Sequence, residues 1–200
     1  MSNSLKNIHH DRYKVDDIQY ANFLWEDCTE KKDVIQDKSR KFAVDLKNIA
    51  YTSLYYNKTP MIYVTTPVMT CLWGMNKQKQ ISLQFTDVEN DVSMKSFYNF
   101  IKNTEIHNMQ NLGITEKDMD KYGTQIRVDK SGKYDPNLSV KIPFVGNRYQ
   151  VEVFNDTQEN INIYNINNFV KMQCDIYIDK IWKYNGVFYC KWKARKIYLV

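Results

Sequence analysis

Residues 181–195 read Ile181-Trp182-Lys183-Tyr184-Asn185-Gly186-Val187-Phe188-Tyr189-Cys190-Lys191-Trp192-Lys193-Ala194-Arg195. Asn185-Gly186 between two apolar-rich runs is the strongest hairpin signal in the chain, because a type I′ turn needs two residues at positive φ. Successive side chains of a strand point to opposite faces. Phe188, Cys190, Trp192 and Ala194 therefore point to a core, and Tyr189, Lys191, Lys193 and Arg195 point away from it. A two-residue turn sets Trp182 opposite Tyr189. Ahead of the turn, Met172, Cys174, Ile176 and Ile178 alternate with Gln173, Asp175, Tyr177 and Asp179. Lys180 falls where an apolar residue is due, which predicts a β-bulge near Asp179-Lys180.

The charge points to the same region. Residues 171–200 carry seven basic and two acidic side chains, while residues 1–170 balance at 21 of each. The whole +5 thus sits at one end. The chain is rich in Lys, Asn, Ile and Tyr, as an AT-rich genome would encode, so codon supply accounts for part of the lysine. It does not account for the clustering. Two hundred residues, 43% hydrophobic and 26% charged, suit one domain with a core of its own. Fifteen tyrosines favour strands.

Residues 1–38 are polar and irregular and read as an N-terminal arm or weakly ordered lead-in. A single domain is expected over 39–200. Short apolar or alternating runs predict strands at Phe42–Leu46, Met61–Thr66, Val68–Trp73 and Ile81–Phe85, with Gly74-Met75-Asn76 as a loop between the last two. Met94, Phe97, Phe100 and Ile101 recur at helical spacing. Asn90 or Ser93 is a candidate cap, and Gly113 a candidate stop. Thr115-Glu116-Lys117-Asp118 resembles a capping box, so the helical insertion is expected over 90–122. Strands resume at Leu138–Ile142, at Tyr149–Val153 after a Gly146-Asn147 turn, and at Ile161–Tyr164. Mainly β structure with one inserted helix suggests a small barrel.

The outward face of the hairpin carries cations beside rings, which suits phosphates and stacked bases. Lys191, Lys193, Arg195 and Lys183 are candidates for phosphate contacts, and Tyr189 and Trp182 for stacking. Lys141 and Arg148, on a neighbouring Leu138–Val153 hairpin, would extend the groove. Plainer readings compete. The lysines would also protect an edge strand from pairing with another chain, and Trp182 would also serve as core. Trp192, on the apolar face, reads as core.

The segments Ile62-Tyr63-Val64-Thr65-Thr66-Pro67-Val68-Met69-Thr70, Leu138-Ser139-Val140-Lys141-Ile142-Pro143 and Ile181-Trp182-x-x-x-Gly186-x-Phe188 resemble the OB-fold single-stranded DNA-binding proteins of nucleocytoplasmic large DNA viruses. Those are similar in turn to a bacteriophage single-stranded DNA-binding family. The resemblance covers roughly residues 40–200. It implies a five-stranded, OB-fold-like barrel with an inserted helix, coating of exposed strands during replication, recombination or repair, and no cofactor. Many such proteins end in an acidic tail, whereas this chain ends Lys196-Ile197-Tyr198-Leu199-Val200, basic then apolar.

Catalysis is not expected. Hydrolysis needs a positioned base with a nucleophile or metal, and His9-His10 fall in the polar arm while His107 falls on the helix. Asp87-x-Glu89-x-Asp91 precedes the helix, where acids favour the dipole. No glycine-rich phosphate loop occurs, and Cys28, Cys71, Cys174 and Cys190 lack metal spacing. Neither a catalytic nor a metal site is expected. Buried thiols point to a reducing, intracellular compartment; the viral resemblance implies the host cytoplasm or a viral factory, or packaging in the virion. Met1-Ser2-Asn3-Ser4 lacks the apolar run of a signal peptide, and no membrane segment is expected. The expected partners are single-stranded DNA, with RNA as the alternative, further copies of the chain, and replication proteins. Competing functions are a virion protein that packs nucleic acid nonspecifically and a β-rich protein-interaction module.

Overall fold

The computed structural model describes residues 9–22, 24–25 and 50–200. The expected strand at Phe42–Leu46 and Cys28 lie outside them. The first strands are β1 (Ile18–Tyr20), β2 (Leu24–Trp25), β3 (Ala50–Tyr56), β4 (Thr59–Pro60), β5 (Ile62–Thr65), β6 (Met69–Cys71) and β7 (Gln80–Gln84). The helix α1 (Val92–Asn111) comes next, followed by β8 (Tyr122–Gly123), β9 (Ile126–Arg127), β10 (Asn137–Lys141), β11 (Phe144–Val145), β12 (Arg148–Tyr149) and β13 (Glu152–Phe154). The last four are β14 (Val170–Ile178), β15 (Lys180–Tyr184), β16 (Val187–Cys190) and β17 (Lys193–Leu199).

Six of these segments close into a five-stranded barrel. β5 and β6 act as one strand interrupted at Thr66-Pro67-Val68, because both pair antiparallel with β14 (Thr65 opposite Asp175, Met69 opposite Met172). From there the ring runs through antiparallel β7 and β10, to β17 parallel with β10, and through antiparallel β14 back to the start. Taken in chain order, the barrel strands follow 1-2-3-5-4-1, the Greek-key order of an OB-type barrel. Inward residues such as Val64, Cys71, Ile81, Leu83, Leu138, Val140, Cys174, Ile176 and Ala194 are fully buried. They alternate with outward residues as a strand's period of two requires.

The helix is inserted between the second and third barrel strands. The Asp91 carboxylate accepts the Met94 N–H at 2.9 Å, a cap contributing about 1 kcal/mol. This is the plain reading of the Asp87–Asp91 acids. Gly113, at φ 68°, closes the other end; its N–H reaches Gln110 O while Ile114 N–H reaches Met109 O, the Schellman pattern. Met94, Phe97, Phe100 and Ile101 are buried, each contributing about 1.5–3 kcal/mol. Phe97 meets Phe85, and Phe100 meets Trp192. Trp192 is core, as its phase required. No helix among the described residues is long and apolar enough to cross a membrane.

Four local expectations are corrected. The bulge lies at Arg195, since Asp175 pairs with Lys196 while Ile176 pairs with Ala194. At Asp179 the chain instead leaves the barrel for a second sheet of β3, β15 and β16. Ile161–Tyr164 is no strand; Ile163–Asn165 form a 3₁₀ turn, with the Asn162 side chain accepting the Tyr164 N–H. β10 and β13 do not form a hairpin, because each pairs parallel with β17. Residues 9–20, expected to belong to a loose arm, are packed: Ile18 and His10 are buried, β1 pairs with β3, and the Tyr13 hydroxyl donates to Tyr63 O at 2.6 Å.

Candidate nucleic-acid interface

Asn185 (φ 48°) and Gly186 (φ 79°) form the expected turn, and β15 and β16 pair with Trp182 opposite Tyr189. β3 adds a third strand that sets Tyr51 opposite Trp182. Directly opposed residues share a face, so Tyr51, Trp182 and Tyr189 form a row across three strands. All three are half-buried. The Tyr51 and Trp182 rings lie 5.1 Å apart. Tyr189 lies over Gly123, where an added Cβ would stand 2.7 Å from the ring. A glycine is therefore required for the ring to lie down on β8.

Cations flank this row. The Lys180 ammonium sits 4.2 Å from the Tyr51 ring centre and 5.4 Å from Trp182, and Lys191 sits 5.6 Å from Tyr189. Cation–π attraction holds them there. Lys193 and Arg195 also face outward, but on the barrel. Lys193 lies 5.7 Å from the Tyr177 ring and Arg195 5.5 Å from Tyr63. Lys141 joins the two groups, since it is in register with Lys193. Its ammonium is held below the ordinary lysine range, first by burial and then by repulsion from Lys191 and Lys79. Three ammoniums that repel one another gain from a polyanion that neutralises them.

Two sequence candidates fall elsewhere. Lys183 alternates with Trp182, so it lies on the other face of the hairpin, 5.1 Å from the Phe188 ring. Arg148 is exposed on the separate β11–β12 hairpin, opposite Val145. Lys193 is also less available than its phase implied, because Asp179 holds its ammonium at 2.6 Å.

Sequence reasoning missed Tyr51, Tyr63, Tyr177, Lys79 and Lys180. It also missed a groove on the outer side of β7 and β10, where Trp73, Tyr134 and Phe169 are each more than 60% exposed around Gln84, Asn137 and Arg127. Phe169 holds φ 60°, a strained value for a bulky residue. Gln84 at the groove and Gln80 beside Lys141 are ends of the same strand, about 14 Å apart at ~3.4 Å per residue. The available signal was weak: Trp73 beside Gly74, in a loop.

Comparison with solved structures finds phage single-stranded DNA-binding proteins. The single-stranded DNA-binding protein from bacteriophage Enc34 is 12% identical, with a TM-score of 0.48 over 74% of this chain and 83% of that one. The same phage protein in complex with single-stranded DNA gives 10% identity and 0.46, over 74% and 89% of the chains. The gp2.5 single-stranded DNA-binding protein of bacteriophage T7 gives 9% and 0.46, over 69% and 91%. No family model matches the chain, and no curated protein matches it in sequence. At these scores it is the strand order, and not the likeness, that identifies the barrel.

Proposed function

We propose that this chain binds single-stranded DNA and coats strands exposed during replication, recombination or repair of a viral genome. The observation that carries the reading is the half-buried ring row Tyr51–Trp182–Tyr189 with Lys180 and Lys191 against it. In an OB-type barrel the loop between the fourth and fifth strands is a ligand-binding loop, and here that loop is the β15–β16 hairpin. Unpaired bases stack on the rings, and phosphates meet Lys141, Lys180, Lys191 and Arg195. Stacking needs bases that are free of a partner strand, so the single strand is preferred over duplex. The phage proteins carry the same ligand in their names; the reading for this chain rests on its own side chains.

The test is titration with fluorescently labelled oligo(dT) and with duplex of equal length, at two salt concentrations. The expected result is tighter binding to oligo(dT) and a steep loss with salt. Equal affinity for both would favour nonspecific genome packing, and the absence of binding to either would leave the hairpin a protein-contact surface.

A further inference from the structure

The sequence reading left His9 and His10 in a polar arm with nothing to bind. The structure instead buries His10 against α1, its ring 5.3 Å from Phe97 edge-on and 6.4 Å from Phe100. Its side chain is 2% exposed, yet neither ring nitrogen makes a hydrogen bond. Nε2 lies 3.2 Å from Asp11 Oδ1 without hydrogen-bond alignment. A buried polar group without a partner is costly and calls for a ligand or water. His9 Nδ1 lies 3.0 Å from Asp11 Oδ2. One donor atom from each of His9, His10 and Asp11 falls within 4.8 Å of the other two.

We propose that His9, His10 and Asp11 bind one zinc-class divalent ion where the N-terminal segment packs against α1. Tetrahedral zinc with nitrogen and oxygen ligands at about 2.0–2.2 Å has edges of roughly 3.3 Å; the three donors, within 4.8 Å of one another, reach that spacing by small side-chain rotations. Two imidazoles and one carboxylate form a nitrogen-rich set that suits zinc and not magnesium. Ser96 on α1 hydrogen-bonds the Asp11 carboxylate, the outer-shell support that orients a metal ligand. His9 and Asp11 are each more than half exposed, so the fourth position is open to water.

The test uses untagged full-length protein stripped with a chelator, then titrated with zinc chloride by calorimetry and followed by thermal unfolding. The expected result is saturable 1:1 binding with a Tm rise of several degrees, and no such rise with magnesium. His9→Ala and Asp11→Asn change exposed side chains, and each should weaken zinc at least tenfold while leaving the far-UV circular dichroism unchanged. Wild-type protein that shows no 1:1 binding overturns the proposal. So does zinc affinity unchanged in either variant, or an equal response to magnesium.

Discussion

Glu105 shows at the scale of one residue how burial sets a stability profile. It lies on the buried side of α1 and accepts the Gln125 backbone N–H. Burial pushes its pKa up to about 7, with the Gln125 and Ile126 N–H groups opposing the rise. A carboxyl raised in the folded state contributes its stability in full below about pH 4.5. That stability is lost as pH climbs through about 7, a difference of about 3 kcal/mol. Glu105→Gln, which keeps an acceptor for the N–H, should therefore raise Tm at pH 8 and leave it unchanged at pH 5; thermal melts at the two pH values read this directly. Trp182→Ala should weaken oligo(dT) by about 1–3 kcal/mol with little change in Tm, read by fluorescence anisotropy. Gly123→Ala should do harm to both fold and binding, because the new Cβ meets the Tyr189 ring at 2.7 Å.

At the scale of elements, the hairpin is a ladder whose two faces do different work. Ile181 and Cys190 go inward, and Trp182 and Tyr189 go outward. Lys180→Glu, Lys191→Glu and Arg195→Glu together should abolish oligo(dT) binding and preserve the far-UV circular dichroism. Lys193 is left out because a glutamate there would face Asp179. An intact affinity in that triple variant would remove the hairpin from the interface. The groove of Trp73, Tyr134 and Phe169 is a second element with exposed rings. Trp73→Ala should weaken a long oligo(dT) more than a short one, because the groove lies about 14 Å along β7 from the cations; paired titrations with the two lengths decide it.

Over the whole molecule, the barrel brings distant segments onto one surface. Lys141 meets Lys193 through a parallel pairing that spans 52 residues. The four phosphate contacts at Lys141, Lys180, Lys191 and Arg195 would give a slope of log K against log salt of roughly −2.8 for a single strand, and a flat salt response would argue for an aromatic protein interface. The hairpin, the helix and the short strands around Val64, Leu83 and Val140 were legible, because period and turn chemistry are local. The packing of residues 9–20 was not, since Tyr13, Ile18 and Tyr20 follow no regular period and are ordered by Tyr63, Tyr56 and Asn108 far along the chain. Nor was the bulge at Arg195, because only the partner strand β14 shows where the count fails.

The sequence by itself determined which side chains of the hairpin face out and which face in, since alternation along a strand follows from backbone geometry. It also placed the helix and its stop at Gly113. Only the tertiary structure decided that Tyr51 completes the ring row, that Lys141 comes into register with Lys193, and that Asp179 neutralises Lys193. Those outcomes depend on which strands become neighbours, and strand pairing joins residues whose separation along the chain carries no local trace.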